Sequence, residues 1–89
     1  MNSSHLAEFF GTLFFVYIVL ATGNAIAIGA ALALIIILTS GFKYVTVNPA
    51  VSITLAAAGK MPVSDLLPRL IIQALGGLIA YELYKRVKI

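Results

Sequence analysis

The 89-residue sequence contains no cysteine. That excludes a disulfide framework and a thiolate metal site, and it leaves the redox compartment open. Charge is nearly as scarce. Six Lys or Arg and three Asp or Glu make up 10% of the chain, against 62% hydrophobic residues. An ordinary soluble domain is about 45–50% apolar, and a small one could not cover this much apolar surface with so few charges. The composition therefore predicts an integral membrane protein, with the lipid bilayer as its first partner. The scattered basic residues and the net charge of +3 suit membrane flanks and give no nucleic-acid footprint. The single histidine, His5, reads as an interfacial residue near the N-terminus. No carboxylate pair or metal-ligand spacing is present, so no enzyme, cofactor or bound metal is expected.

The first ten residues, MNSSHLAEFF, make a poor signal peptide: they hold no Lys or Arg, and Glu8 interrupts the apolar run. Asn2-Ser3-Ser4 matches the glycosylation acceptor pattern, which is too common to weigh. Three long apolar segments follow, at about 6–22, 24–40 and 64–84. Each has on the order of 16–21 residues, enough to cross a hydrocarbon core of about 30 Å. The tight connection at Thr22-Gly23-Asn24 predicts an antiparallel hairpin of the first two. Ser64 reads as an N-cap of the third.

Between the second and third lies a shorter segment, 41–58. Asn48 is a good N-cap and Pro49 suits the first helical position, where an N–H would be orphaned. Gly59 and Pro62 mark the end. The resulting helix of about ten residues spans only about 15 Å, half a bilayer. This predicts a re-entrant segment: 41–47 enters as non-helical backbone, and the chain returns as a half-helix whose positive N-terminus points at the midplane. The Asn48 side-chain oxygen would cap Ala50 or Val51 and turn its NH2 toward a passing solute. A donor beside a positive helix end accepts water oxygens and opposes cations and protons.

Irregular backbone survives at membrane depth only where it is buried in protein or lines a water-filled cavity. Glu8 and Gln73, both inside apolar runs, are the candidates to brace it. A carboxylate there costs several kcal/mol unless it faces the interior with partners. Small residues recur every four positions at Ala7 and Gly11, at Ala25, Gly29 and Ala33, and at Gly76 and Ala80, a pattern that permits close helix approach.

These residues together resemble the N-terminal half of the aquaporin (major intrinsic protein) family. AEFFGT at Ala7–Thr12 looks like its first span and GAALAL at Gly29–Leu34 like its second. NPAV at Asn48–Val51 is similar to the first of its two NPA boxes, and LPRLIIQALGG at Leu67–Gly77 looks like its third span. The resemblance implies an all-α membrane fold of three transmembrane helices plus one re-entrant half-helix, one unit of an inverted repeat. Pore-lining residues would be Asn48, Pro49, Ala50 and Thr46, with Glu8 and Gln73 bracing the loop. The sequence departs from the family in three places. Thr46 stands where a histidine is expected, and Lys43 adds a charge near the pore mouth. Ala27 and Ile28 replace the second-span filter aromatic. The second half, with its NPA box and filter arginine, is not in these 89 residues, and Val51 and Ser52 supply no such charge.

One half cannot enclose a pore. The function expected is a passive channel for water or small neutral solutes formed by two half-repeats. These are two copies as an antiparallel homodimer, with four dimers together by the resemblance, or this chain and a separate partner half. The alternative is a non-conducting structural subunit of a larger membrane assembly. Three basic residues near the N-terminal side (Lys43, Lys60, Arg69) against three near the other (Lys85, Arg86, Lys88) give little orientation preference. Tyr81 and Tyr84 would sit in the interfacial aromatic belt.

Overall fold

A computed structural model describes residues 3–87; Asn2 of the glycosylation pattern and Lys88 of the C-terminal basic cluster lie outside them. Within that range the chain is all-helical: α1 (Ser3–Thr22), α2 (Ala25–Leu38), α3 (Pro49–Ala57) and α4 (Val63–Val87). Two helices, α1 and α4, are long and apolar enough to cross a membrane. Their 20 and 25 residues measure about 30 and 37 Å.

The turn chemistry explains the boundaries. Gly23 adopts φ 54° after α1, and its N–H bonds Val19 O at 3.0 Å. Asn24 caps α2 by accepting from Ala27 N at 2.9 Å, so the expected hairpin forms, with α2 starting one residue later. α2 stops at Leu38, short of 40, and has 14 residues, about 21 Å. Thr39 and Ser40 turn their hydroxyls back onto Ile35 O and Ile37 O, and the chain leaves the helix there. In α3, Asn48 Oδ1 accepts from Ala50 N at 2.9 Å and Pro49 takes the first position. Its end is a Schellman motif: Lys60 N bonds Leu55 O, Gly59 N bonds Ala56 O, and Gly59 sits at φ 76°. Ser64 is not the cap of α4. The helix begins at Val63, and Asp65 N bonds Pro62 O. Residues 41–47 are non-helical.

α1 is the central element. It packs on α4 along one side and on α2 along another, while α3 packs on α4. The α1–α4 crossing is set by Gly76: a Cβ there would lie 2.8 Å from Phe9 O and 3.3 Å from Thr12 Cβ. Only glycine admits so close a backbone approach. Gly11 similarly faces Ile35 and Val47, at 3.1 and 3.2 Å from its virtual Cβ. The stripe expected on α2 turns outward instead. Ala25, Gly29 and Ala33 are exposed, because the inward face is taken by Ala31 and Ile35.

Gly76→Val is therefore expected to destabilise the protein by about 1–3 kcal/mol, as overpacking does. Gly29→Ala, in open space, should be neutral or slightly stabilising. Thermal unfolding in detergent compares the two.

Candidate functional site

The two long helices each carry a polar stripe at four-residue spacing. On α1 it is Ser4, Glu8 and Thr12; on α4 it is Asp65, Arg69 and Gln73. Four-residue spacing puts each set on one helix face, and the α1–α4 crossing turns the two faces together. Glu8 is 0% exposed, Arg69 1% and Gln73 4%.

Glu8 is the centre. Oε2 accepts from Thr46 N at 2.9 Å and Arg69 Nη1 at 3.0 Å. Oε1 accepts from Val47 N at 2.5 Å and Gln73 Nε2 at 3.1 Å. An ionised carboxylate offers about four lone-pair sites, and here each faces a donor. A carboxyl proton would have no acceptor, so the arrangement is one of a carboxylate. Arg69 balances it. The guanidinium also bonds Asp65 Oδ2 through Nε (2.9 Å) and Nη2 (2.7 Å), and Ser4 Oγ through Nη2 (3.1 Å). The Tyr44 ring lies over it, 6.0 Å from Cζ to the centroid. At the outer end His5 Nε2 donates to Asp65 Oδ1 at 2.6 Å. Ser4 Oγ donates to the Lys43 carbonyl.

The loop 41–47 is thus held at both ends of its run: at Lys43 and Tyr44 by Ser4 and Arg69, and at Thr46 and Val47 by Glu8. These holds act on a backbone that is not relaxed. Tyr44 and Val47 have φ of 67° and 47°, left-handed values that are uncommon for any side chain and an outlier for a β-branched one. Such residues cost on the order of 1–3 kcal/mol each and persist only where the surroundings fix them. Val47 is fixed by its N–H bond and by burial against Gly11.

Gln73 acts on side chains. Beyond Glu8, its Nε2 lies 3.0 Å from Thr46 Oγ1 and 2.9 Å from Ser52 Oγ. Those two hydroxyls are 2.6 Å apart. Gln73 reaches the loop through the Thr46 hydroxyl and not through its backbone. Its two hydrogens are shared among three acceptors, one each on α1, the loop and α3. Gln73 Oε1 and Thr12 Oγ1 are buried without a partner among the described residues.

On the far side of the loop lies a cleft of about 520 Å³ between α2 and the loop–α3 segment, floored by Phe15. Leu32 and Ile36 line one wall; Thr46, Asn48 and Val51 line the other. Asn48 has its Oδ1 engaged by Ala50 N, which leaves the amide hydrogens for the cleft. Pro49 and Ala50 are exposed at the first turn of α3 but do not line it.

Sequence reasoning singled out Glu8, Gln73, Thr46 and Asn48, and the fold brings the first three into one cluster. It missed Arg69, Asp65, Ser4, His5 and Ser52. Arg69 is not a flanking charge but the buried counter-ion of Glu8 and Asp65. His5 is likewise engaged by Asp65. The matched polar stripes on α1 and α4 carried that information.

Glu8→Leu should destabilise the protein by about 3–5 kcal/mol, since it leaves Arg69 as a buried cation with only its outer partner. Adding Arg69→Leu should cost much less than the two single effects summed. Glu8→Gln should fall between, because its NH2 must face a donor. Thr12→Val should be nearly neutral, since its hydroxyl bonds nothing. A double-mutant cycle on chemical unfolding in detergent measures all four; additivity of Glu8 and Arg69 would contradict the pairing.

No family model matches the chain, and no solved structure matches it.

Proposed function

We propose that the chain is an integral membrane protein forming half of a passive pore for water or small neutral solutes. The observation that carries this reading is the juxtaposition of a held, non-helical loop with a few polar groups on a largely apolar cleft wall. Glu8 fixes the amides of Thr46 and Val47. The chain then emerges at Asn48, which caps α3 with its oxygen and keeps its amide donors toward the cleft. A packing element has no use for strained backbone stabilised by a buried ion pair. A solute path does, because it needs fixed donors on an otherwise apolar wall.

In this reading α1, α2 and α4 are the three spans and 41–58 is the re-entrant unit. α2, at 14 residues, would cross with the help of local bilayer thinning and its polar ends Asn24, Thr39 and Ser40. The resemblance to an aquaporin half supports the same arrangement. Asn48, Thr46, Pro49 and Ala50 belong to the pore region, and Glu8 and Gln73 to its support. The charge on the wall is small: among the described residues, Lys60 is the one ionic residue lining the cleft. With no filter arginine in the chain's own segment, neutral solutes would be weakly discriminated.

The cleft is open on one side, so a second half must close it. A second copy inserted in the opposite sense fits. With Arg69 engaged by Glu8 and Asp65, Lys43 and Lys60 stand at one end against Lys85 and Arg86 at the other. Such near-balance weakly orients a chain.

Purified protein in liposomes is expected to speed osmotic volume change, and Asn48→Leu to abolish the gain. Equal rates for both would remove Asn48 from the path. Equal rates for protein-bearing and empty liposomes would favour the structural subunit. A C-terminal topology reporter should signal from both membrane faces; signal from one face only would point to a separate partner half.

A further inference from the structure

The cleft wall made by α3 has a direction. Asn48, Val51 and Leu55 line the cleft along the helix, and Lys60 lines it just beyond the helix end. The nine residues of α3 measure about 14 Å. The wall therefore has an amide at one end, an ammonium at the other and apolar side chains between. The backbone fixes Lys60 in place. Its N–H closes the Schellman motif on Leu55 O at 2.9 Å, and the next residue, Met61, is buried.

We propose that Lys60 sets the charge selectivity of this cleft: it rejects small cations and admits neutral solutes and small monovalent anions. The chain contains three side-chain carboxylates, and all are committed elsewhere. Glu8 is fully buried against Arg69. Asp65 is held by Arg69 and His5 and lines a second cleft, not this one. Glu82 pairs with Lys85 and Arg86 near the end of α4. Lys60 forms no ion pair among the described residues. The C-terminal end of α3 offsets about half a charge at most. The carbonyls of Thr54, Leu55 and Ala56 there already accept from the Ala58, Lys60 and Gly59 N–H groups. The ammonium is thus left without a neutralising carboxylate.

The surroundings strengthen its field. Phe15, Leu32, Ile36, Val51 and Leu55 make most of the wall apolar, and a charge beside low-dielectric walls is poorly screened. Lys43, also exposed, lines the second cleft and not this one. Two copies inserted in opposite senses would bring one Lys60 toward each membrane face, so a cation would meet the same barrier from either side.

The sign of the field stands on the cleft geometry; its effect on flux rests on the pore reading above. The absence of cysteine permits a direct test. Val51→Cys puts a single thiol on the wall. Its modification in lipid nanodiscs is timed with three methanethiosulfonates of similar size, carrying a sulfonate, a trimethylammonium or a hydroxyl group. Each rate is divided by that of the same reagent on a free thiol in solution. The anionic reagent should outpace the cationic one. Lys60→Glu should lower that ratio by about tenfold or more, the scale on which a cleft of one sign concentrates counter-ions. Lys60→Gln should fall between. Ala25→Cys, at the α1–α2 turn, should keep its ratio in all three backgrounds. A Val51→Cys ratio indifferent to Lys60, or a thiol that none of the reagents reaches, would overturn the proposal. The same proteins in liposomes are offered urea, guanidinium and nitrate, planar solutes of similar size that are neutral, positive and negative. Lys60→Glu should raise guanidinium flux relative to nitrate and leave urea flux unchanged. Charge-ordered labelling without urea flux would uphold Lys60 and refute the pore. Urea flux with labelling blind to Lys60 would do the reverse.

Discussion

One carboxylate carries the loop. Residues 41–47 leave α2 without helical hydrogen bonds of their own, in a protein with little polar surface to offer them. Glu8 answers for Thr46 and Val47, whose N–H groups it accepts, and it does so from a position with no exposure. A buried backbone amide must find a partner. A buried carboxylate must find a counter-charge. Arg69 supplies that counter-charge and is itself shared with Asp65. Each polar group in the cluster is there because another one is.

The rest of the architecture follows from making room for this cluster. Gly76 lets α1 and α4 meet closely enough for Glu8 to reach Arg69 and Gln73. Gly11 admits Val47 against α1, so the loop is seated by packing as well as by charge. Gln73 then couples the loop to α3 through Thr46 and Ser52, and Asn48 starts α3 at a fixed place on the cleft wall. Under the proposed function Glu8, Arg69 and Gln73 never touch the solute. They set the position of the groups that do.

The sequence was most legible where local chemistry decides. Asn48-Pro49 and Gly59 bound a nine-residue helix because caps and turns are short-range signals. Thr22-Gly23-Asn24 bounded the hairpin for the same reason. α2 is shorter than its apolar run, because Thr39 and Ser40 satisfy the last carbonyls of the helix instead of extending it. Its small-residue stripe faces outward, since composition alone does not fix which face of a uniformly apolar helix turns inward. Glu8 and Gln73 stood out as isolated polar residues in apolar runs. Arg69 did not, because it lies close enough to Pro62 and Asp65 to look like a flanking charge. Only the spacing of Ser4, Glu8 and Thr12 against Asp65, Arg69 and Gln73 tells the two apart, and it becomes decisive once α1 and α4 are known to cross.

Glu8 is a carboxylate held by four donors inside an apolar protein. Infrared spectroscopy of the reconstituted protein reads this directly. The chain has two glutamates, so carbon-13 glutamate labelling of a Glu82→Gln variant isolates Glu8. The labelled carboxylate stretch at neutral pH, shifted by strong hydrogen bonding and lost in Glu8→Leu, is the expected result. A labelled protonated-acid carbonyl stretch at neutral pH would contradict it, because the cluster offers a carboxyl proton nothing to bond.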